Sequence, residues 1–353
     1  MLRFPSLFGH VGAILLVGMF CSARVGSADE RTGSLDLYFI DVEGGAATLF
    51  VTPTGESLLI DSGYPDNNGR DLKRILKVLK EVAGRSRLDH AAVTHWHLDH
   101  FGNHAALRSE IQIGTFWDRG IPETLAEDPM FADRIGNYRA ASQNRSKALH
   151  PGDRIPLKSE KTPLELTVVT ASGEVIPNTG PPNPYAPEHR PQPEDTSDNA
   201  RSLSFLLKFG KFSFLCCGDL TWNTEAKLMT PNNPLGQVEM FMVTHHGLPV
   251  SNNPVLVKAV EPHVAVMCNG PTKGGHAQTQ QTLREVKSLE ALYQLHRNVE
   301  LKPEEQTPAE FIANMEPTAD CQGEFIKATI EPGGESYTVQ IGEQGRPRRF
   351  QTR

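Results

Sequence analysis

The sequence predicts an α/β protein with two sheets and helices on their outer faces. Short apolar runs alternate with amphipathic segments along both halves of the chain, as expected for strands connected by helices. The strand-rich beginning also contains hairpin turns, so two sheets fit better than a single parallel sheet. The chain has 353 residues, 38% hydrophobic and 22% charged, which suits one large or two modest folded domains.

The first half of the chain is predicted as strands, a helix and a further strand. Three short apolar runs are separated by turn-forming residues and span Leu35–Val42, Ala46–Val51 and Ser57–Ile60. Apolar residues then recur at spacings of three and four from Leu72 to Val82, which predicts an amphipathic helix ended by Gly84. Leu88–Thr94 returns to strand character.

The second half repeats this alternation. Gly210-Lys211 is a turn pair suited to a two-residue hairpin. The predicted strands are Leu203–Phe209, Phe212–Cys217, Val238–Thr244 and Val264–Cys268, and the predicted helices are Asn223–Met229, a segment after Asn253, and Thr279–His296. A final hairpin is predicted at Ile326–Ile330 and Tyr337–Ile341.

Between the halves, residues 176–199 form a proline-rich loop, with seven prolines from Pro177 to Pro193. A linker between two domains is one interpretation. Because the strands on either side look like halves of one fold, we favour a long loop at the rim of the active site. The predicted organisation is therefore one domain over 33–300 and a C-terminal extension over 301–353 that carries the final hairpin.

Residues 1–28 have the pattern of a secretory signal peptide. Arg3 precedes the uncharged run Val11–Cys21, and small residues follow. Cleavage is predicted after Ala23 or Ala28. An uncleaved anchor is the alternative, but the apolar run is shorter than the roughly 20 residues of a spanning helix. We therefore expect a periplasmic or secreted protein with no membrane span after cleavage.

The charge balance and the cysteines narrow the function classes. The formal net charge is -7, and removing residues 1–28 takes away Arg3 and Arg24 but no acid, so the mature chain is more negative. A nucleic-acid binder usually needs a basic face, so no stable nucleic-acid binding is expected. Five cysteines are too few for a disulfide scaffold. Three are predicted to be buried thiols (Cys216, Cys217 and Cys268), while pairing of Cys321 stays open.

The most informative segment is Thr94–His100, directly after a predicted strand. His95 and His97 are two residues apart, so in an extended turn both imidazoles can face the same side. Asp99 and His100 lie just past them and can turn to a neighbouring position. This spacing suits two adjacent metal ions.

This segment resembles the HxHxDH hallmark of the metallo-β-lactamase fold superfamily. The resemblance extends from about Leu35 to His296 and implies a four-layer αββα sandwich, here with a short C-terminal β-hairpin extension. Within the superfamily, the chain is most similar to the ComEC-like branch, found as the terminal domain of DNA-uptake channel proteins and in secreted stand-alone proteins. The matching stretches are Ile40–Gly45, Asn199–Leu203, Cys217–Leu220 and His245–Gly247.

The resemblance implies six metal ligands: His95, His97, Asp99, His100, Asp219 and His245. The first two would hold one metal and the next two the second, with Asp219 bridging the pair and His245 completing the second site. His246 is not expected to point the same way as His245, so it is assigned to the substrate oxyanion or to supporting the ligands; these two roles could be exchanged. Asp99 and His246 are the candidate catalytic residues.

The pattern departs from the superfamily at the third histidine of the first site. It is expected between His100 and Asp219, where only His104, His150 and His189 occur. Each is better explained by a surface or structural role. The first metal is therefore predicted to have fewer protein ligands and more water.

Two further residues are candidates for supporting the site. Asp61 ends a strand near the metal loop and is predicted to accept hydrogen bonds from ligand histidines or loop amides, thereby orienting them. His276 follows Gly274-Gly275 after a predicted strand and is a candidate for a substrate or metal contact.

The resemblance implies two divalent ions, zinc by default, with manganese or iron also compatible. It implies a hydrolase that uses a hydroxide bridging the two metals. The favoured substrate is a phosphodiester or related ester. The alternatives are a lactone or β-lactam hydrolase and a non-catalytic metal-binding module on the same fold, because the fold alone does not decide.

Overall fold

The computed structural model describes residues 1–2, 33–65, 67–316 and 321–353. The predicted signal peptide, with its cleavage positions after Ala23 or Ala28, lies outside these residues except for its first two. Residues 31–353 cluster into one compact unit. Within the described ranges, no helix combines the length and the apolar character needed to cross a bilayer.

Eighteen strands and seven α-helices make up the described chain. The strands are β1 (Leu35–Phe39), β2 (Thr48–Val51), β3 (Ser57–Ile60), β4 (Arg87–Ala92), β5 (Gln112–Asp118), β6 (Lys147–Ala148), β7 (Arg154–Ile155), β8 (Leu164–Ala171), β9 (Glu174–Val175), β10 (Ser204–Phe209), β11 (Phe212–Cys216), β12 (Met240–Met242), β13 (Val264–Met267), β14 (Ala291–His296), β15 (Ile312–Asn314), β16 (Ile326–Ile330), β17 (Ser336–Ile341) and β18 (Arg348–Gln351). The helices are α1 (Arg70–Lys77), α2 (Leu98–Phe101), α3 (His104–Glu110), α4 (Phe131–Ser142), α5 (Trp222–Met229), α6 (Pro254–Val260) and α7 (Ala277–Arg284).

The strands form two nine-stranded sheets, which confirms the predicted two-sheet α/β sandwich. The first has the order β18-β17-β16-β1-β2-β3-β4-β5-β6, and the second runs β15-β14-β13-β12-β11-β10-β8-β7, with β9 paired to β8. Each sheet has an antiparallel part and a parallel part. Parallel neighbours need crossover connections, and helices supply them.

The core lies between the sheets and combines aliphatic with aromatic side chains. Phe214 lies edge-on to both Phe39 and Phe50, with ring centroids 5.9 Å apart in each pair. Separate apolar clusters lie under the helices on the outer face of each sheet. Four layers result, in the order helix, sheet, sheet, helix.

The predicted helix Thr279–His296 is wrong in its second half. Helix α7 ends at Arg284, and Ala291–His296 is strand β14, buried at all six positions and parallel to β13. Leu289, Leu292 and Leu295 recur every three residues, which mimics a helix. The free edge of β13 offers backbone hydrogen bonds and burial, so tertiary context outweighs the local pattern.

The predicted C-terminal hairpin forms, with Ile326 opposite Ile341. Strand β16 also pairs with β1, so the hairpin extends the first sheet.

Cys216, Cys217 and Cys268 are buried thiols, as predicted. Cys321 is also a free thiol and contacts the Asn314 side chain at 3.4 Å.

The two sheets are joined at the edge where β4, β11 and β12 end. Thr94, just after β4, accepts a backbone hydrogen bond from Leu203, just before β10, at 2.9 Å. Gly218, just after β11, approaches Thr94 so closely that a Cβ there would lie 2.9 Å from the threonine side chain. The loops that carry the predicted site residues therefore meet at one edge.

Candidate metal centre

Four buried side chains from three loops converge at this edge: Asp99, His100, Asp219 and His246. Their ligand atoms all lie within 4.8 Å of one another. Asp99 and His100 are on the short helix α2 that follows the loop after β4. Asp219 follows β11, and His246 lies in the tight turn Thr244–Gly247 after β12. We call these four residues the Asp219 centre.

The separations within the Asp219 centre are those of ligands that share an ion. Asp219 Oδ2 lies 3.2 Å from the Nε2 atoms of both His100 and His246, and Asp99 Oδ2 lies 3.4 Å from each of them. Two ligands bound at 2.0–2.1 Å to a tetrahedral zinc are about 3.3 Å apart. Direct hydrogen bonds between charged groups are shorter.

The outer nitrogen of each central imidazole is held by a protein acceptor. His100 Nδ1 donates to Asp61 Oδ2 at 2.7 Å, and His246 Nδ1 donates to the Cys268 carbonyl at 3.0 Å. With the proton on Nδ1, each ring directs the lone pair of Nε2 inwards. Asp61 therefore occupies the place that its predicted orienting role requires, and it also accepts the Thr94 amide at 2.8 Å.

A cation fits this donor set. The Nε2 atoms of His100 and His246 face each other at 3.3 Å. Burial opposes their protonation, but Asp219 raises the pKa of both rings above the ordinary value, so this donor set attracts positive charge, which a metal ion can supply. His95 is fully buried, and its Nε2 has no hydrogen-bond partner among the described residues. A buried polar atom without a partner is costly, and a metal would satisfy it.

The electrostatics of the centre favour ionised carboxylates. Burial alone would raise the pKa of Asp219, but the neighbouring imidazoles of His100 and His246 hold that pKa well below its usual range. Burial likewise opposes ionisation of Asp99, and His100 again lowers its pKa well below the ordinary value. Both carboxylates are therefore negative at neutral pH, as metal binding requires.

The structure brings His95 to this centre, and the His97 ring lies beside that of His95, with ring centroids 4.7 Å apart. His95 Nε2 lies 3.9 Å from Asp219 Oδ2, and burial holds the pKa of His95 well below its ordinary value, so the ring is neutral. His97 Nε2 instead lies 3.3 Å from Glu127 Oε1 near the surface. The predicted metal role of His97 stays a prediction.

His245 and His246 point the same way, contrary to the expectation from the sequence. Their Nε2 atoms lie 3.4 and 3.2 Å from Asp219 Oδ2. Both residues have left-handed backbones, with φ of 53° and 55°, which breaks the alternation of side chains along an extended segment. His246, rather than His245, is in the group of four, so the geometry favours the exchanged roles, although the ligand assignment itself stays a prediction.

The remaining candidate histidines lie apart from the centre. His276 is exposed, and its Nδ1 accepts the Gln278 amide at the start of α7. His104 Nδ1 contacts Ser62 Oγ at 2.7 Å, and burial lowers the pKa of His104 to about 4. His150 contacts Asp153, and His189 contacts Asn253. The superfamily's third histidine therefore does not come from the expected interval.

Lys273 is a site residue that the sequence reasoning missed. Its Nζ contacts Asp99 Oδ2 directly and lies 3.4 Å from the Tyr64 hydroxyl. Burial opposes the charge, but Asp99 and Asp219 raise the pKa of Lys273 above its ordinary value. The available signal was its place in a Gly-rich loop after β13, a strand that ends at the same edge as β12.

A cavity of about 590 Å³ lies beside the centre. The proline-rich loop forms one wall, Trp222 and Asn223 at the start of α5 form another, and Asn199 joins the cavity to the centre. The Asn199 side-chain amide lies 3.4 Å from His245 Nε2. Part of the proline-rich loop thus lies at the rim of the site.

Residues 40–193 match the family profile of the metallo-β-lactamase superfamily. No curated protein matches the chain significantly. Among solved structures, a metal-dependent hydrolase from Parabacteroides distasonis, so named only provisionally, aligns with 14% identity and a TM-score of 0.40, covering 72% of this chain and 92% of that one.

The diiron β-hydroxylase CmlA from Streptomyces venezuelae aligns with 16% identity and a TM-score of 0.44, over 76% of this chain and 53% of its own. At such low TM-scores these alignments carry no functional argument. The family match over residues 40–193, together with the Asp219 centre, supports a metal-dependent hydrolase.

Proposed function

From the match to the metallo-β-lactamase superfamily, we propose that this protein is an extracytoplasmic hydrolase of a phosphodiester or related phosphate ester, of the ComEC-like branch, that uses two divalent ions. The observation that carries the proposal is the Asp219 centre, in which two carboxylates and two imidazoles lie within 4.8 Å of one another. Zinc is the first choice for such a donor set, and manganese or iron is compatible with its carboxylates.

Divalent ions at this place would lower the pKa of water and stabilise the negative charge that develops on an ester during hydrolysis. The chain's own residues prepare the site for them. The negative Asp219 carboxylate lies close to three imidazoles, those of His100, His245 and His246. Asp61 and the Cys268 carbonyl hold two rings in the tautomer that leaves Nε2 free.

Lys273 favours an anionic substrate. Its side chain is one-third exposed, so its ammonium borders both the centre and the solvent. A phosphodiester carries a negative charge that can pair with this ammonium through charge-assisted hydrogen bonds. A neutral lactone offers no such partner. The Tyr64 hydroxyl lies beside Lys273 and can donate a further hydrogen bond.

The cavity beside Asn199 offers a place for one substituent of the ester. At about 590 Å³, it has the size of a small-molecule pocket. Its wall includes Trp222 as well as polar and acidic side chains of the proline-rich loop. We propose that the alcohol portion of the substrate lies there.

The extracytoplasmic location and the ComEC-like assignment rest on sequence features. The signal-peptide pattern of residues 1–28 supports export, and the stretches Asn199–Leu203 and His245–Gly247 support the ComEC-like branch. The acidic balance of the chain supports a small-molecule ester rather than stably bound nucleic acid. Fractionation of cells that express the full chain tests the location, with recovery in the periplasm or medium as the expected result.

The experiment for the activity combines metal analysis with a substrate panel. Purified protein should contain divalent metal by elemental analysis, and it should hydrolyse chromogenic phosphodiesters in preference to lactones and β-lactams. Asp219→Ala should abolish turnover, whereas Asp153→Ala, which removes a partly exposed carboxylate remote from the centre, should not. Preferential turnover of lactones or β-lactams would overturn the phosphodiester assignment, and absence of bound metal would overturn the enzyme reading.

A further inference from the structure

The first metal position lacks its third imidazole in the interval where the superfamily supplies it. His150 and His189 contact Asp153 and Asn253, and His104 Nδ1 contacts Ser62, although the buried His104 Nε2 has no partner among the described residues. His95, which does reach Asp219, has an unpartnered and fully buried Nε2. His95 therefore has an unpartnered nitrogen beside the Asp219 carboxylate, where a ligand of the first metal is expected.

His245 lies where a ligand of that first metal is needed. Its Nε2 is 3.4 Å from Asp219 Oδ2, close to the separation of about 3.3 Å expected for two ligands of one tetrahedral ion. Yet among the described residues it falls outside the group of four whose ligand atoms are all within 4.8 Å of one another. His95 shows the same relation: it reaches Asp219 but lies outside that group.

The His245 ring is prepared as a ligand. Its Nδ1 lies 3.1 Å from the hydroxyl of Ser251, which is buried. With Nδ1–H donated to Ser251, the Nε2 lone pair faces Asp219, as in the two central imidazoles. Asn199, whose side-chain amide lies 3.4 Å from the same Nε2, borders this position on the cavity side.

The backbone explains how two successive histidines can serve two ions. His245, His246 and Gly247 all have positive φ, at 53°, 55° and 83°. Left-handed conformations cost about 1–2 kcal/mol for a residue with a side chain, and they persist where the surroundings hold them. Here the His245 amide donates to the Gly218 carbonyl at 3.0 Å, and the His246 carbonyl accepts from Gly275 at 2.8 Å.

We propose that the tandem histidines divide between the two metals. His246 completes the site of Asp99 and His100, whereas His245 replaces the missing third histidine and binds the first metal with His95, and Asp219 lies between the two sites. This inference rests on the proposed two-metal function.

Pairwise substitution tests this division by metal content, independently of activity. Metal per chain is measured at free zinc buffered about tenfold above the wild-type dissociation constant, because loss of a direct ligand weakens binding by at least about 100-fold. His245→Ala and His246→Ala should each retain about one ion. His95→Ala with His245→Ala removes two ligands of one site, so this pair should also retain one. His245→Ala with His100→Ala should retain none.

The reverse pattern, with none retained by the His95/His245 pair and one by the His245/His100 pair, would place His245 at the second metal and overturn the inference. Two ions retained by His245→Ala would do the same. Circular dichroism and thermal unfolding report whether each variant folds. Where His245→Ala does not fold, His245→Asn, which keeps a polar side chain, is used in its place. If the wild type binds two ions in this pattern but hydrolyses no ester, the proposed function fails and this inference stands.

Discussion

Two clusters of metal-ligand residue types lie in the described part of this protein, and they differ in how the chain's own cations pair with them. The Asp219 centre joins two aspartates and two histidines. A second cluster, which we call the Asp41 cluster, joins Asp41, Glu43, His296 and Cys321, and its ligand atoms are likewise within 4.8 Å of one another. Residue type and spacing alone do not separate the two.

Their charge balance separates them. In the Asp41 cluster, Arg74 Nη1 lies 2.7 Å from Asp41 and 3.1 Å from Glu43, and His296 Nε2 lies 2.7 Å from Asp41. These are direct charge-assisted contacts, so the chain neutralises its own carboxylates. In the Asp219 centre, the imidazoles lie 3.2–3.4 Å from the two carboxylates, and Lys273 makes a direct ion pair with Asp99 but not with Asp219. Asp219 is thus open to a metal ion, because no lysine or arginine among the described residues lies within ion-pair distance of its carboxylate.

The largest effect should come from Asp219→Asn, which removes one of the two carboxylate charges of the Asp219 centre with little change in shape. We expect loss of bound metal and a fall in kcat/KM of about 10³-fold or more, because metal ions supply several kcal/mol of transition-state stabilisation. Elemental analysis and steady-state kinetics measure this. A chelator should lower the Tm of the wild type but leave the variant unchanged, since only a metal bound to the folded state stabilises it. Full metal content in the variant would show that the Asp219 charge is not needed to bind the metal.

Arg74→Ala should instead act on stability. Its side chain is 8% exposed and that of Asp41 is fully buried, so the substitution leaves the buried Asp41 carboxylate with His296 as its remaining partner. The expected loss in the free energy of unfolding is about 3–5 kcal/mol, measured by urea denaturation, with metal content at the Asp219 centre unchanged. Arg134→Ala breaks a more exposed pair with Asp128 and should cost about 1 kcal/mol or less.

The same Arg74→Ala variant tests whether charge balance is what distinguishes the two clusters. Without Arg74, the Asp41 cluster keeps two carboxylates, an imidazole and a thiol within metal-ligand reach, and Arg70 remains paired with Glu43. Zinc should therefore raise the Tm of the variant by more than it raises that of the wild type. An equal response of the two proteins would mean that charge balance is not what separates the clusters.

Lys273→Met should have a smaller effect, confined to anionic substrates. Losing a charge-assisted hydrogen bond of about 1.5 kcal/mol predicts a KM about tenfold higher for a chromogenic phosphodiester, with kcat less affected. Turnover of a neutral lactone, if measurable, should not change. Lys273→Arg keeps the charge and should restore most of the affinity. An unchanged KM in Lys273→Met would remove this residue from substrate binding.

The smallest effect is expected for Glu225, a buried carboxylate that has no cation beside it among the described residues. Burial raises the pKa of Glu225 from 4.5 to about 8. Between these values the folded state holds a proton that the unfolded chain has lost, so stability should fall as the pH rises from about 5 to 8, by at most about 1.4 kcal/mol per pH unit. Urea unfolding at pH 6 and pH 8 measures the slope. Glu225→Gln should reduce that slope, and an undiminished slope in this variant would contradict the assignment.

Much of the fold followed from local sequence patterns. The apolar alternation predicted ten of the eighteen described strands, including the final hairpin around Gly333-Gly334, because these signals depend on neighbours in the chain; strands such as β5 and β8 were not predicted. The HxHxDH segment likewise predicted the place of the centre. By contrast, Ala291–His296 became a strand only because the edge of β13 was available.

The sequence by itself determined which residue types meet, and the tertiary structure decided what each can do. His246 enters the centre through a left-handed backbone at two successive residues, which hydrogen bonds to Gly218 and Gly275 hold in place. Lys273 and Arg74 lie far along the chain from the acids that they contact. Backbone conformation and charge balance at a buried site depend on groups distant in sequence, because electrostatic interactions and close packing act through space.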